Sequence, residues 1–168
     1  MRRLALTRKS SFAPIVAPDT RVLVLGSLPG EASLAAERYY AHPQNQFWRL
    51  IGGVIGQDIA SLDYDARLAS LLAGGVGLWD TVASALREGS LDAALRAVEG
   101  NALGNLVASL PALRAIGFNG AAAAKIGRRA LGDTPLALID LPSSSPAHAR
   151  MSFEEKAQRW KSLREFLD

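Results

Sequence analysis

The chain alternates short, unbroken apolar runs with longer stretches in which apolar residues return every three or four positions. Four runs have the aliphatic composition expected of strands covered on both faces: 21–26, 76–79, 114–118 and 136–141, each closed by turn residues. Helical spacing lies between them. Asp63 can cap a helix that places Leu68, Leu71 and Leu72 on one face, and 92–99 carries Ala93, Leu95, Ala97 and Val98 in a weaker helical pattern. The last helix is the most clearly marked, with Ser152 and Glu155 forming a capping box ahead of apolar positions at Phe153, Trp160, Leu163, Phe166 and Leu167. Strands alternating with helices predict crossover connections and an α/β fold, a three-layer α/β/α domain around a central, mostly parallel four-stranded sheet. The 168 residues suit one such domain over 21–168, with 1–20 an extended lead-in in which Pro14 and Pro18 discourage helix.

The polar breaks between these elements carry the candidate chemistry. The first strand runs into Gly26-Ser27-Leu28-Pro29-Gly30, and a second cluster follows with Tyr39, Tyr40, His42, Asn45, Phe47 and Trp48. Loops at the carboxyl ends of parallel strands are where open α/β sheets bind ligands. The first turn lacks the Gly-Lys-Ser/Thr of a nucleotide-binding P-loop and the G-x-G-x-x-G dinucleotide fingerprint, so those functions lose support. Composition narrows the chemistry further. With no cysteine, disulfides, thiolate zinc sites and iron–sulfur clusters are excluded, and two histidines leave little for any other metal. A formal charge of +3 is compatible with a polyanionic partner. No apolar stretch is long enough to span a bilayer and the first residues lack a signal-peptide core, so a cytoplasmic protein is expected, and no obligatory protein partner is evident.

The pattern G-S-L-P-G followed by Y-Y-A-H-P-x-N-x-F-W resembles the uracil-DNA glycosylase superfamily. The Ser27-Leu28 pair and the later Leu141-Pro142-Ser143-Ser144-Ser145-Pro146-Ala147 resemble its sixth family, the hypoxanthine-DNA (deoxyinosine) glycosylases. The resemblance runs from about Arg21 to the C-terminal helix. It implies an enzyme that flips a deaminated base out of DNA, removes it with water and leaves an abasic site, with neither a metal nor an organic cofactor needed. Uracil or broad deaminated-base excision stays open as an alternative, as does a catalytically silent module that binds damaged DNA.

Each residue has a plainer reading beside the one the resemblance implies. Asn45, alone, is a preferred cap for a helix beginning near Gln46; the resemblance makes it the catalytic residue, its side-chain carbonyl holding the attacking water. Tyr40 aligns with the aromatic that stacks on the extruded base, whereas Tyr39, Phe47 and Trp48 are read as packing residues. Gly26, Ser27 and Leu28 lie against the flipped nucleotide by the resemblance, but Leu28 stands where a polar residue usually orients water and cannot do so. His42 is placed in the base-binding loop as a hydrogen-bonding support. Asp80 is either the cap of a following helix or a base reader. An ionised carboxylate only accepts hydrogen bonds, and hypoxanthine offers a donor at N1 where adenine offers an acceptor. The Ser143, Ser144, Ser145, Pro146 and His148 segment corresponds to the loop that presses on DNA, with hydroxyls and amides suited to phosphates. Leu141 there replaces the polar group used elsewhere on a leaving pyrimidine, and Ser145 replaces a large wedge. Asn119-Gly120 is read as a turn into a helix whose Lys125, Arg128 and Arg129 form a solvated face.

Overall fold

A computed structural model describes residues 8–87, 90, 92, 95–148 and 150–168. Four strands, β2 (Val22–Gly26), β3 (Val76–Asp80), β6 (Ala115–Asn119) and β7 (Ala137–Leu141), form one sheet in the order β3-β2-β6-β7, and every pairing in it is parallel. Each expected strand is present within one residue: β2, β3 and β6 are buried almost throughout and read as continuous apolar segments, while β7, at the sheet edge, is mostly half-buried but keeps the run Ala137-Leu138-Ile139.

Alternation along β2 assigns its side chains to two cores. Val22 and Val24, with Val76 and Leu78, pack against α2 (Phe47–Ile55), α3 (Tyr64–Ala73), α6 (Phe153–Trp160) and a terminal 3-10 turn over Lys161–Phe166. Leu23 and Leu25, with Ile116 and Phe118, pack on the opposite side against α4 (Leu103–Ala108) and α5 (Ala121–Leu131). The result is the expected three layers. The predicted caps of two helices form: Asp63 Oδ1 accepts from Ala66 N at 2.8 Å, and Ser152 Oγ accepts from Glu155 N at 3.2 Å.

One expectation fails. A second, antiparallel sheet joins β1 (Arg8–Ser10), β4 (Val82–Leu86) and β5 (Arg96–Gly100) in the order β1-β4-β5. The helix expected over 92–99 is therefore replaced, over its described second half, by a strand paired with β4; residues 93 and 94 lie outside the described set. Pairing with a neighbouring strand overrides a weak local helical pattern. The segment before β2 is held to the main sheet, since Ile15 bridges Leu78 and Tyr39 donates through its hydroxyl to Ala13 O at 2.7 Å. Among the described residues no helix is long and apolar enough to cross a membrane.

Candidate active site

The parallel strands end level with one another. Gly26 pairs with Asp80 and Asn119 with Leu141, so the turns that follow all open at one edge of the sheet. A cleft of about 480 Å³ lies there. Its lining includes Gly26, Ser27 and Leu28 from the first turn, Tyr40, His42 and Asn45 from the second cluster, Asp80, and Ser143, Ser144, Ser145, Pro146 and His148 from the last loop. The chain thus brings together every residue singled out above as a site candidate.

One side of the cleft is aromatic. Tyr40 has φ of 53°, a left-handed backbone that costs a non-glycine residue energy, and its ring stacks on Phe47 with centroids 3.9 Å apart and planes 17° apart. Trp48 meets Tyr40 edge-on and donates from Nε1 to the Tyr40 carbonyl at 3.2 Å. Phe47 and Trp48 are buried, as is Tyr39, so these three serve packing as expected. Burial raises the Tyr40 hydroxyl well above its ordinary pKa, which keeps it a neutral donor. Asn45 is not the helix cap itself: Gln46 occupies that position in α2. Asn45 Oδ1 accepts from Phe47 N at 2.9 Å, and the Asn45 backbone N–H donates to His42 O at 2.9 Å. The first bond orients the side-chain amide, the second fixes the backbone that carries it, and the second lone pair of Oδ1 stays available. His42 is exposed, and its Nδ1 accepts from Gln44 N at 3.1 Å.

The other side is acidic. Asp80 is only 4% exposed, and its Oδ2 has no hydrogen-bond partner among the described residues. Burial, reinforced by nearby Asp92 and opposed by Arg87, pushes its pKa up to about 7. The carboxylate is therefore poised between its two forms near neutrality, where the sequence reading took it as ionised. Nor does it cap a helix. After Asp80 the chain enters β4, which removes that alternative. A Cβ on Gly26 would stand 2.7 Å from Asp80 Oδ1 and 3.1 Å from the Tyr40 hydroxyl, so only glycine lets these two groups converge across the turn. Ser27 Oγ donates to Asp92 Oδ1 at 2.5 Å, while the buried Arg87 donates to the carbonyls of Leu28 and Pro29 and stands 3.9 Å from Asp92. Leu28 is buried with Val82 and Ala85, so the residue that cannot orient water instead anchors the turn to the small sheet.

The serine loop closes the third side. Ser144 is buried, its N–H donates to Asn119 Oδ1 at 2.9 Å, and its Oγ accepts from Asn119 Nδ2 at 2.9 Å. Its hydroxyl is thus used internally, unlike the phosphate-gripping role expected of all three serines. Ser143 and Ser145 remain partly exposed and tighten the turn by accepting from Ser145 N and Ala147 N. Gly120, with φ of 97°, turns the chain from β6 into α5 while leaving room for Ser143 against it. Asn119, read from the sequence only as part of a turn, and Asp92 also line the cleft, and neither was expected in the site. Asn119 Nδ2 also donates to the Tyr40 hydroxyl at 3.3 Å. Its position at a strand's carboxyl end, like that of Asp80, was a usable signal. Asp92 offered none, because the serine it meets is distant in the chain. Among the described residues no group of three or more His, Cys, Asp or Glu is placed to hold a metal.

The family model of the uracil DNA glycosylase superfamily matches residues 13–165. A hypoxanthine DNA glycosylase of Methanosarcina acetivorans is 35% identical over 158 residues, covering 92% of this chain and 97% of that protein. One of Methanosarcina barkeri is 41% identical over 113 residues, covering 67% and 72% respectively. The solution NMR structure of a candidate uracil DNA glycosylase from Methanosarcina acetivorans superposes with a TM-score of 0.83 at 34% identity, over 95% of this chain and 99% of that one.

Proposed function

The chain belongs to the uracil DNA glycosylase superfamily, and from that premise we propose that it is a DNA repair glycosylase that removes hypoxanthine from deoxyinosine. The observation that carries the choice of base is Asp80: a buried carboxylate with an unpartnered oxygen, on a cleft that also presents Tyr40. An acceptor held in that state calls for a donor. Hypoxanthine supplies one at N1; adenine has a lone pair there and would meet the ionised carboxylate unfavourably.

The extruded nucleotide enters with its base over Tyr40, where stacking is indifferent to the base edge, and with N1–H toward Asp80. Deamination weakens the pair that must open, so selection begins before the pocket is reached. Asn45 then acts on water. Its side-chain amide, oriented by Phe47 N–H on a turn that the Asn45 backbone N–H closes onto the His42 carbonyl, holds a water below the anomeric carbon through the remaining lone pair of Oδ1. The bond from C1′ to N9 breaks as the sugar takes on oxocarbenium character, and its electron pair leaves with the base. Water adds to C1′, one of its protons neutralises the departing base, and an abasic site remains. No lysine nucleophile is required. Ser143, Ser145 and the exposed Pro146 meet the DNA backbone beside the open base.

The test is base release from a duplex carrying one deoxyinosine, read as strand scission after mild alkali. Scission at the deoxyinosine supports the reading. Tight binding to that duplex with no alkali-labile site would make the protein a damage-binding module, and faster release from deoxyuridine would move it to uracil excision.

A further inference from the structure

Helix α6 carries two buried polar side chains that do not line the cleft. Lys156 and Trp160, 1% and 0% exposed, are four residues apart and so stand one turn apart on the same helix face. Each reaches a different loop of the site. Lys156 Nζ donates to Gln46 Oε1 at 2.9 Å, and Trp160 Nε1 donates to Pro142 O at 3.0 Å. Gln46 follows Asn45 directly, caps α2, and donates its backbone N–H to Ser144 O at 3.0 Å. The lysine, the glutamine and the serine loop are therefore joined in one chain of hydrogen bonds.

The ammonium is an expensive choice for this position. Among the described residues its one hydrogen-bond partner is a neutral amide, and no carboxylate pairs with it. An ammonium has three donors and is costly to bury without a counter-charge, and a packed aliphatic side chain of similar length would be at least as stabilising. Stability alone does not account for Lys156. Its one bond lands on the residue that sets the start of α2 and thus the orientation of Asn45.

We propose that Lys156 is a positioning residue for base excision, fixing through Gln46 the distance between the Asn45 amide and the serine loop. The proposal rests on Asn45 holding the attacking water. Lys156→Met keeps the aliphatic stem and removes the ammonium. It is expected to slow single-turnover release of hypoxanthine by about 10- to 100-fold, the scale of loss when a reacting group is misplaced by an ångström or less. Affinity for the deoxyinosine duplex should stay within about twofold, and the melting temperature should hold or rise. Because the lysine acts through Asn45, adding Lys156→Met to Asn45→Ala should slow release no further. A normal rate in Lys156→Met, or an equal additional loss on top of Asn45→Ala, overturns the proposal. If Asn45→Ala itself releases base at the normal rate, the role given to Asn45 has failed; if that variant is slow and Lys156→Met is normal, the failure belongs to Lys156 alone. Should Lys156→Met not fold, Gln46→Met breaks the same bond from its other end, with slow release expected and a normal rate overturning the proposal.

Discussion

The aromatic and acidic sides of the cleft are held in different ways. On the aromatic side, Tyr40 rests on Phe47, Phe47 on Trp48 and Trp160, and Asn45 is tied to the backbone at both ends of its turn, so position is set by packing and local hydrogen bonds. On the acidic side, Asp80 has an oxygen with no partner among the described residues and a pKa pushed up to about 7, so its state is set by burial and by the neighbouring charges. Rigid geometry suits a group that must place a water, and an unsatisfied acceptor suits one that must choose between bases. The first side should answer to changes of shape, the second to changes of proton.

Removing Asn45 makes the largest break in that contrast. Asn45→Ala should lower single-turnover base release by about 100-fold or more while the protein stays folded and still binds duplex. Release within a fewfold of normal would take catalysis away from the aromatic side. Asp80→Asn should leave chemistry possible but blur selection, because an amide can turn either a donor or an acceptor to the base. The ratio of deoxyinosine to deoxyuridine rates is expected to fall by roughly 10-fold, the scale of one hydrogen bond to a charged group. An unchanged ratio would make Asp80 structural.

The same variant sharpens the comparison through stability. Asp80 ionises at its ordinary value of 3.8 in the unfolded chain and at about 7 in the fold. Between those values the native state holds the extra proton, so stability falls as pH rises through the window and stays low above it. Asp80→Asn should remove this decline, gaining on the order of 1–3 kcal/mol at pH 8 and little below pH 4, as read by urea unfolding. In the wild type, hypoxanthine release should rise with pH through about 7 as the accepting form fills.

Smaller effects follow on the aromatic side and at the rim. Tyr40→Ala should weaken binding of the deoxyinosine duplex about 5- to 10-fold more than binding of undamaged duplex, the low end of base stacking energies. Equal losses on both would point to collapse of the Phe47 stack. Smallest of all, doubling the salt should weaken duplex affinity about threefold if two phosphates are gripped near the serine loop. Affinity that does not respond to salt would argue against that contact.

The parallel sheet and the antiparallel one also differ in how much of them the sequence discloses. β2, with all five residues buried, must be aliphatic throughout, and that leaves a plain pattern. β1 is Arg-Lys-Ser, and β4 mixes buried with half-buried positions, so neither stands out from loop or helix. In 92–99 the spacing of Ala93, Leu95, Ala97 and Val98 suits a helix, yet the strand pairing with Val82–Leu86 prevails. The site divides in the same manner. Tyr40, Asn45 and Asp80 sit next to strands or in a recognisable motif, whereas Asp92 joins the cleft through Ser27 and Arg87, contacts between parts of the chain remote from each other.

The sheet order has a kinetic consequence. β2 comes first in the chain among the parallel strands yet lies inside the sheet, between β3 and β6, and no hairpin can bring either neighbour to it. Its hydrogen bonds wait on closure of long loops, so refolding should be slow for a domain of this size, and unpaired strand edges are exposed until closure. In the interim the run Val22-Leu23-Val24-Leu25 is the segment of this chain most prone to pair with another copy of itself, so refolding yield should drop as protein concentration is raised.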